Sequence, residues 1–302
     1  MALTLAEAIA RVPQWVGARD IKTTPLSGGI TNNNFRIDVD GEAFVLRIPG
    51  ADTEILGINR EYEYAANLVA GKLGIAPEVY FFIRPEGYLI TRYINGHPIP
   101  PEEIRKPNNI RQVVDILHKI HSLPEIPGSF DAFQIIAAYS EIAHRYQVAF
   151  PQNYSWLLEQ MQAAEKALHT LPAPSWPCHN DLLNANFLSD GQLYLLDWEY
   201  AGMGDIFFDL ANFSDHHNLA DEEDRWLLRC YFDQVVPSQW AHLKIMKIVS
   251  DLHEAVWGMV QIGISKLDFD FHAYAEKFFG RVMENIQNPK WNEWLKEVSS
   301  NV

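Results

Sequence analysis

The residues best suited to chemistry lie in the run His179-Asn180-Asp181-Leu182-Leu183-Asn184-Ala185-Asn186. Asp181 stands two positions after His179, and Asn186 five positions after Asp181. A carboxylate in such a loop accepts, or at least orients, the proton of an attacking hydroxyl. An amide oxygen five residues on reaches a metal ion, so the two groups meet opposite sides of one transferring phosphoryl group. Eleven residues after Asn186, the apolar run Tyr194-Leu195-Leu196 ends in Asp197. An acid that closes a strand is a rigid way to hold a carboxylate against a metal. Taken singly, these residues have ordinary explanations: His179 a buried structural histidine, Asp181 a turn residue. The ordered set His179, Asp181, Asn186 and Asp197 points to phosphoryl transfer.

The same spacing is that of the kinase catalytic loop. Trp198-Glu199 follows Asp197 where protein kinases carry Phe-Gly, which argues against a protein kinase. The idea makes demands upstream: a flexible glycine loop over the phosphates, a cation on a following strand and an acid on the next helix to position it. Ser27-Gly28-Gly29-Ile30-Thr31-Asn32 occupies the first place. Small residues there let backbone N–H groups approach phosphate oxygens. Arg47 sits inside the next apolar strand, where a charge wants a partner. Glu61 and Glu63 open the helix after it, where acids also suit the helix dipole. All three come in the right order.

The elements that must position these groups can be read from pattern. Asn34–Val39 alternates as a strand, Asp40-Gly41 turns, and Ala43–Ile48 forms a second strand. A helix is expected over 60–72, stopped at Gly74. Strands are expected over 78–82 and 88–93, joined by Pro85-Glu86-Gly87. Asn95-Gly96-His97-Pro98 breaks the pattern and is a candidate hinge. Beyond it helices are expected over 102–122, 130–149 and 153–170, then a loop-and-strand region over 178–205. Further helices are expected over 207–218, 221–234, 238–264 and 269–287. The fold class is therefore α+β, with a small β-rich part over 1–94 and a large helical part over 95–302. Two such parts joined by a hinge predict a ligand cleft.

Composition narrows the partners. The chain has 302 residues, enough to bury a large core, and its 48% hydrophobic and 21% charged content is that of an ordered globular protein. A net charge of -15 disfavours nucleic acid and could attract a cationic substrate. Cys178 and Cys230 make neither a disulfide framework nor a zinc site, so a reducing cytoplasm is expected. Met1–Arg11 reads as a short amphipathic helix and not as a signal peptide, and no stretch approaches the ~20 apolar residues of a membrane span.

At these residues the chain resembles the choline/ethanolamine kinase family, within the wider group of aminoglycoside phosphotransferase-like kinases. The carrying blocks are Leu26–Asn32, Val45–Ile48, His179–Asn186, Asp197-Trp198-Glu199-Tyr200-Ala201-Gly202, and the late Trp257-Gly258-Met259-Val260-Gln261 with Ser265-Lys266 and Phe269. The resemblance implies a two-lobed protein-kinase-like fold that uses ATP and Mg2+. It implies Asp181 as catalytic base and Asn186 and Asp197 as magnesium ligands. It implies that Ser27, Gly28, Gly29, Thr31, Asn32 and Arg47 serve ATP, with Glu63 as the helix partner of Arg47 and Glu61 as the alternative. It also implies a choline pocket of rings and acids, with Tyr200 and Trp257 as walls and Asp215 near an acid position. A quaternary ammonium has no N–H, so ring faces and carboxylate charge must hold it.

The chain departs from the family pattern at Val260, where a second Trp is common, and at Leu183, where a polar residue is common. Ethanolamine, thiamine, an aminoglycoside or another small alcohol therefore stay open beside choline. His179 is expected to brace the loop and Asp209 to hold it from below. The intact set of Asp181, Asn186 and Asp197 argues against an inactive ligand-binding module.

Overall fold

Alternating apolar and polar residues in the first hundred positions build an antiparallel sheet. The computed structural model describes residues 3–26, 32–50, 53–169 and 174–299. Within these, the chain divides into two compact units. One is Met1–Ile99 with Ala185–Ala201; the other is Pro100–Asn184 with Gly202–Val302. The division expected at 94/95 left residues 185–201 with the helical part; here they group with the sheet.

In the first unit, helix α1 (Leu5–Ala10) starts at a capping box made by Thr4 and Glu7. Strands β1 (Ile21–Leu26), β2 (Asn32–Val39), β3 (Glu42–Pro49), β4 (Val79–Ile83) and β5 (Tyr88–Arg92) pair in the order β1-β2-β3-β5-β4, antiparallel throughout. β1 was not expected, because Thr23, Thr24 and Pro25 show no apolar alternation and its residues are largely exposed. Ile37, Val39, Phe44, Leu46 and Ile90 pack with Ala8, Val12 and Trp15 as the core on one face. Helix α2 (Arg60–Lys72) is capped by Asn59, which accepts from the Glu61 and Tyr62 N–H groups, and it matches its expected span.

The expected hinge is instead a strand. β6 (His97–Pro98) pairs with β8 (Phe187–Ser189), which pairs with β9 (Leu193–Leu195). Leu195 donates to the Ile75 carbonyl at 2.8 Å, tying β9 to the turn after α2.

The second unit is helical. The helix expected over 102–122 is two: α3 (Pro101–Ile104) and α4 (Pro107–His121). Pro107 cannot donate to a preceding turn, so it starts a new helix. α5 (Ala132–Arg145) and α6 (Tyr154–Leu168) follow, then β7 (Trp176–Cys178), which pairs with β10 (Gly202–Gly204). α7 (Ile206–His216) is capped by Asp205, which accepts from Phe207 N–H at 2.8 Å. α8 (Asp221–Phe232) ends at Asp233, whose φ is 62°.

The central helix is α9 (Pro237–Ile264), against which α5, α7, α10 (Phe271–Ile286) and α11 (Trp291–Ser299) pack. Its residues from Trp240 to Gln261 are buried on nearly every side, as an element surrounded by other helices must be. Lys247, Asp251 and Glu254 interrupt its apolar run, and no helix among the described residues is long and apolar enough to cross a membrane. α11 lay beyond the expected helices; its Trp291 and Trp294 are buried.

Candidate active site

In the first unit a buried ionic network joins α2, β3 and the segment after β9. Arg47, on β3, pairs with Glu63 of α2 and with Asp197. This answers the open choice between Glu61 and Glu63. Two positions along a helix place side chains on nearly opposite faces. Glu63 turns inward and is 3% exposed, while Glu61 turns outward to Arg84 at 2.7 Å.

Arg60, which sequence reasoning missed, completes the network. Its NH1 donates to Glu63 at 2.7 Å and to Glu199 at 2.9 Å; its NH2 donates to Asn32 at 3.1 Å and Thr53 at 3.0 Å. Asn32 in turn donates to the same Glu199 oxygen at 2.9 Å. The guanidinium stem fits only because residue 87 has no side chain: a Cβ at Gly87 would fall 2.7 Å from the Arg60 Cβ. The one sequence hint of Arg60 was its spacing of three from Glu63 on a helix.

Three carboxylates, Glu63, Asp197 and Glu199, thus face two guanidiniums, leaving an excess of negative charge. Burial first, and Asp197 second, push the Glu199 carboxyl up, against the pull of Arg47 and Arg60. Asp197 itself has φ 63°, a left-handed conformation uncommon outside glycine, though Asp and Asn adopt it more readily than other residues. Leu196 donates to the Asn186 carbonyl at 2.8 Å, so the backbones that carry Asn186 and Asp197 adjoin. Hard oxygen donors with excess negative charge fit a magnesium ion. Tyr200 is half-buried in the turn after Glu199. Ser27, Gly28, Gly29 and Thr31 lie outside the described residues; Asn32 is the described member of that segment.

In the second unit the loop over residues 179–182 is held N–H by N–H. Asp209, wholly buried on α7, accepts from His179 N–H at 2.9 Å and Asn180 N–H at 2.7 Å. Asp181 N–H donates to His179 Nδ1 at 3.2 Å, and Leu182 N–H to Asn212 Oδ1 at 2.6 Å. Asn180 takes φ 67° inside this frame. His179 and Asp209 therefore brace the loop as expected. Asp181 is partly exposed.

The late Trp-Gly block also has a geometric reason. A Cβ at Gly258 would lie 3.1 Å from a Tyr274 ring carbon and 3.2 Å from the Ala275 Cβ, so glycine lets α10 close on α9. The Tyr274 and Phe271 rings consequently stand 5.6 and 5.9 Å from Trp257, both edge-on. Burial, Glu254 and then Asp181 push the Tyr274 hydroxyl well up, so it stays protonated within the field of the catalytic loop.

That hydroxyl donates to Glu254 Oε2 at 2.5 Å, while His216 and His253 approach Glu254 Oε1 at 3.4 and 3.5 Å. Burial acts to raise the Glu254 carboxyl, but the two histidines win and hold it below the usual carboxylate range. Asp215, the acid named from sequence for a cation pocket, is buried on α7. Arg281 stands 2.9 Å from its Oδ1 and Lys247 3.7 Å away, both shared with other acids, and burial pushes its carboxyl up to about 6. Glu254, one turn before Trp257, is the acid beside the rings. Tyr274 and Glu254 were missed because nothing in the spacing shows which residues of α10 meet α9.

Comparison with known proteins agrees with this chemistry. Residues 23–220 match the family model described as choline/ethanolamine kinase. Protein LicA of Haemophilus influenzae is 31% identical over 258 residues, 78% of this chain and 72% of that protein. The crystal structure of a choline/ethanolamine kinase family protein from Mesorhizobium loti aligns with TM-score 0.83 at 30% identity, covering 97% of this chain and 98% of that one. Choline kinase LicA from Streptococcus pneumoniae aligns with TM-score 0.79 at 25% identity, covering 93% and 98%. The fold, a β-rich unit and a helical unit, is of the protein-kinase-like type, the enzyme is an ATP-dependent kinase that phosphorylates an alcohol, and the chain belongs to the choline/ethanolamine kinase family.

Proposed function

We propose that this protein transfers the γ-phosphoryl group of MgATP to the hydroxyl of choline, giving phosphocholine and ADP. The observation that carries the choice of acceptor is the group Trp257, Phe271, Tyr274 and Glu254 in the field of Asp181. A quaternary ammonium donates no hydrogen bond and is satisfied by ring faces and diffuse negative charge. A primary ammonium wants free acceptors. Here the Glu254 oxygens already face Tyr274, His216 and His253, which favours choline over ethanolamine.

Asp181 accepts the proton of the choline hydroxyl as that oxygen bonds to the γ-phosphorus. The bond from γ-phosphorus to the bridging oxygen breaks, and ADP leaves with the electron pair. Arg47, oriented by Glu63, binds ATP phosphate oxygens, and Ser27, Gly28, Gly29, Thr31 and Asn32 are assigned to ATP binding from sequence. Asn186 and Asp197 hold magnesium, which when bound neutralises the charge of the phosphates. Arg60 and Asn32 fix Glu199 beside that ligand pair.

The test is ADP release with choline, ethanolamine, thiamine and an aminoglycoside as acceptors, with and without a magnesium chelator. The highest kcat/KM is expected for choline, with all activity abolished by the chelator. A higher kcat/KM for ethanolamine or an uncharged alcohol would overturn the choice of choline.

A further inference from the structure

We propose that His121, at the last position of α4, is a positioning residue for the catalytic loop, acting through Asp209. The proposal rests on the reading of Asp181 as the catalytic base.

His121 is buried, and its Nε2 lies 3.0 Å from Asp209 Oδ2. Its Nδ1 lies 2.7 Å from the Tyr231 hydroxyl on α8. An ionised carboxylate only accepts, so Nε2 carries the hydrogen that bonds Asp209. In the neutral ring, Nδ1 is then an acceptor, and the Tyr231 O–H donates to it. Burial above all, with Cys178 and Asp209 nearby, pushes the Tyr231 hydroxyl up, so it keeps its proton. His118, one turn earlier on α4, stacks on the Tyr231 ring at 4.4 Å and 17° and fixes its plane. A relay of orientation follows: Tyr231 sets the tautomer of His121, His121 sets the rotamer of Asp209, and Asp209 holds the N–H groups of His179 and Asn180.

The arrangement matters because Asp209 carries two loop contacts on one buried side chain. Without the His121 donor, Oδ2 loses one of its two partners, and the carboxylate is free to turn away from the backbone. Asn180, at φ 67°, then loses one of the contacts that hold its backbone in place. Asp181 follows it directly in the chain. A misplacement of about 1 Å at a reacting group costs about 100-fold in rate.

Cys178 belongs to the same neighbourhood: its sulfur lies with donor atoms of His121 and Asp209 inside 4.8 Å. That set does not describe a metal site. His121 Nε2 and Asp209 Oδ2 are already bonded to each other at 3.0 Å, and burial, with Asp209 and Asp205 nearby, pushes the Cys178 thiol well up. Asp209 is also spent on two backbone donors.

Three variants separate positioning from simple packing. In His121→Asn the amide is too short to reach Asp209. In His121→Gln it places an N–H near the position of Nε2. Expected for H121N is a kcat about 10- to 100-fold lower, with the KM values for ATP and acceptor within about 2-fold. H121Q recovers kcat to within about 3-fold of wild type. Amide hydrogen exchange over residues 179–182 should quicken in H121N and not in H121Q. This second readout needs no substrate, so it stands even if the acceptor is not choline. A folded H121N with wild-type kcat and unchanged exchange overturns the proposal. If H121N does not fold, Tyr231→Phe decides: it removes only the hydroxyl that sets the tautomer. A kcat about 3-fold lower at unchanged KM supports the relay, and an unchanged kcat overturns it.

Discussion

Replacing Glu254 by Gln tests the cation site at a single charge. Gln fills the same volume and still offers an oxygen to the Tyr274 hydroxyl, which donates to Glu254 Oε2 at 2.5 Å. The fold should therefore survive. What disappears is a full negative charge, since His216 and His253 hold Glu254 ionised despite its burial. A bulky quaternary nitrogen cannot approach a carboxylate closely. At about 6 Å and an effective dielectric of about 20, the attraction is about 2.8 kcal/mol. That is about 100-fold in affinity.

The two histidines share part of the field, so the expected loss is about 10- to 100-fold in the KM for choline. The nitrogen keeps its charge throughout the reaction, so the loss should fall on KM and leave kcat largely intact. The KM for ATP should not move. The assay is initial-rate ADP release at saturating MgATP, with melting temperature as the check on folding. An uncharged isostere of choline, carbon in place of nitrogen, supplies the control, because its KM should ignore the substitution. A folded E254Q enzyme with an unchanged choline KM would refute the reasoning.

Asp181→Asn should fold normally and lose about 10²- to 10⁴-fold in kcat; near-normal turnover would remove Asp181 from the role of base. Arg60→Met leaves Glu63 and Glu199 short of a buried partner, so it should cost about 3 kcal/mol in urea unfolding. A loss below about 1 kcal/mol would class those ion pairs with exposed ones. Burial pushes the His217 imidazole down to about 4, against the hydrogen bond it makes to the Phe213 carbonyl. Its folded value lies below the unfolded 6.5, so its stabilising effect is complete above pH 6.5 and is lost as pH falls toward 4. The loss approaches on the order of 3 kcal/mol. Melting temperatures from pH 7 to 5 should fall less steeply in His217→Gln than in wild type; parallel curves would contradict a neutral His217.

The sequence by itself determined the parts of this protein that are local. The candidate catalytic loop was legible because the proposed phosphoryl transfer would need Asp181 and Asn186 a fixed few residues apart, and one short run supplies both. β2, β3 and α2 were legible because alternation, the Asp40-Gly41 turn and the stop at Gly74 act over a few residues. Only the tertiary structure decided what depends on distant neighbours. Glu61 and Glu63 look alike in the chain, and the face α2 turns toward β3 chooses Glu63. Asp215 and Glu254 are both acids on buried helices. Arg281, 66 residues from Asp215, pairs with the first, while Tyr274, His216 and His253 surround the second beside the rings. Arg60 finds Glu199 across 139 residues, and His121 finds Asp209 across 88. Periodicity says which side of a helix is buried; it does not say against what. A buried charge takes its meaning from the one partner it meets, and that meeting exists only once the chain has folded.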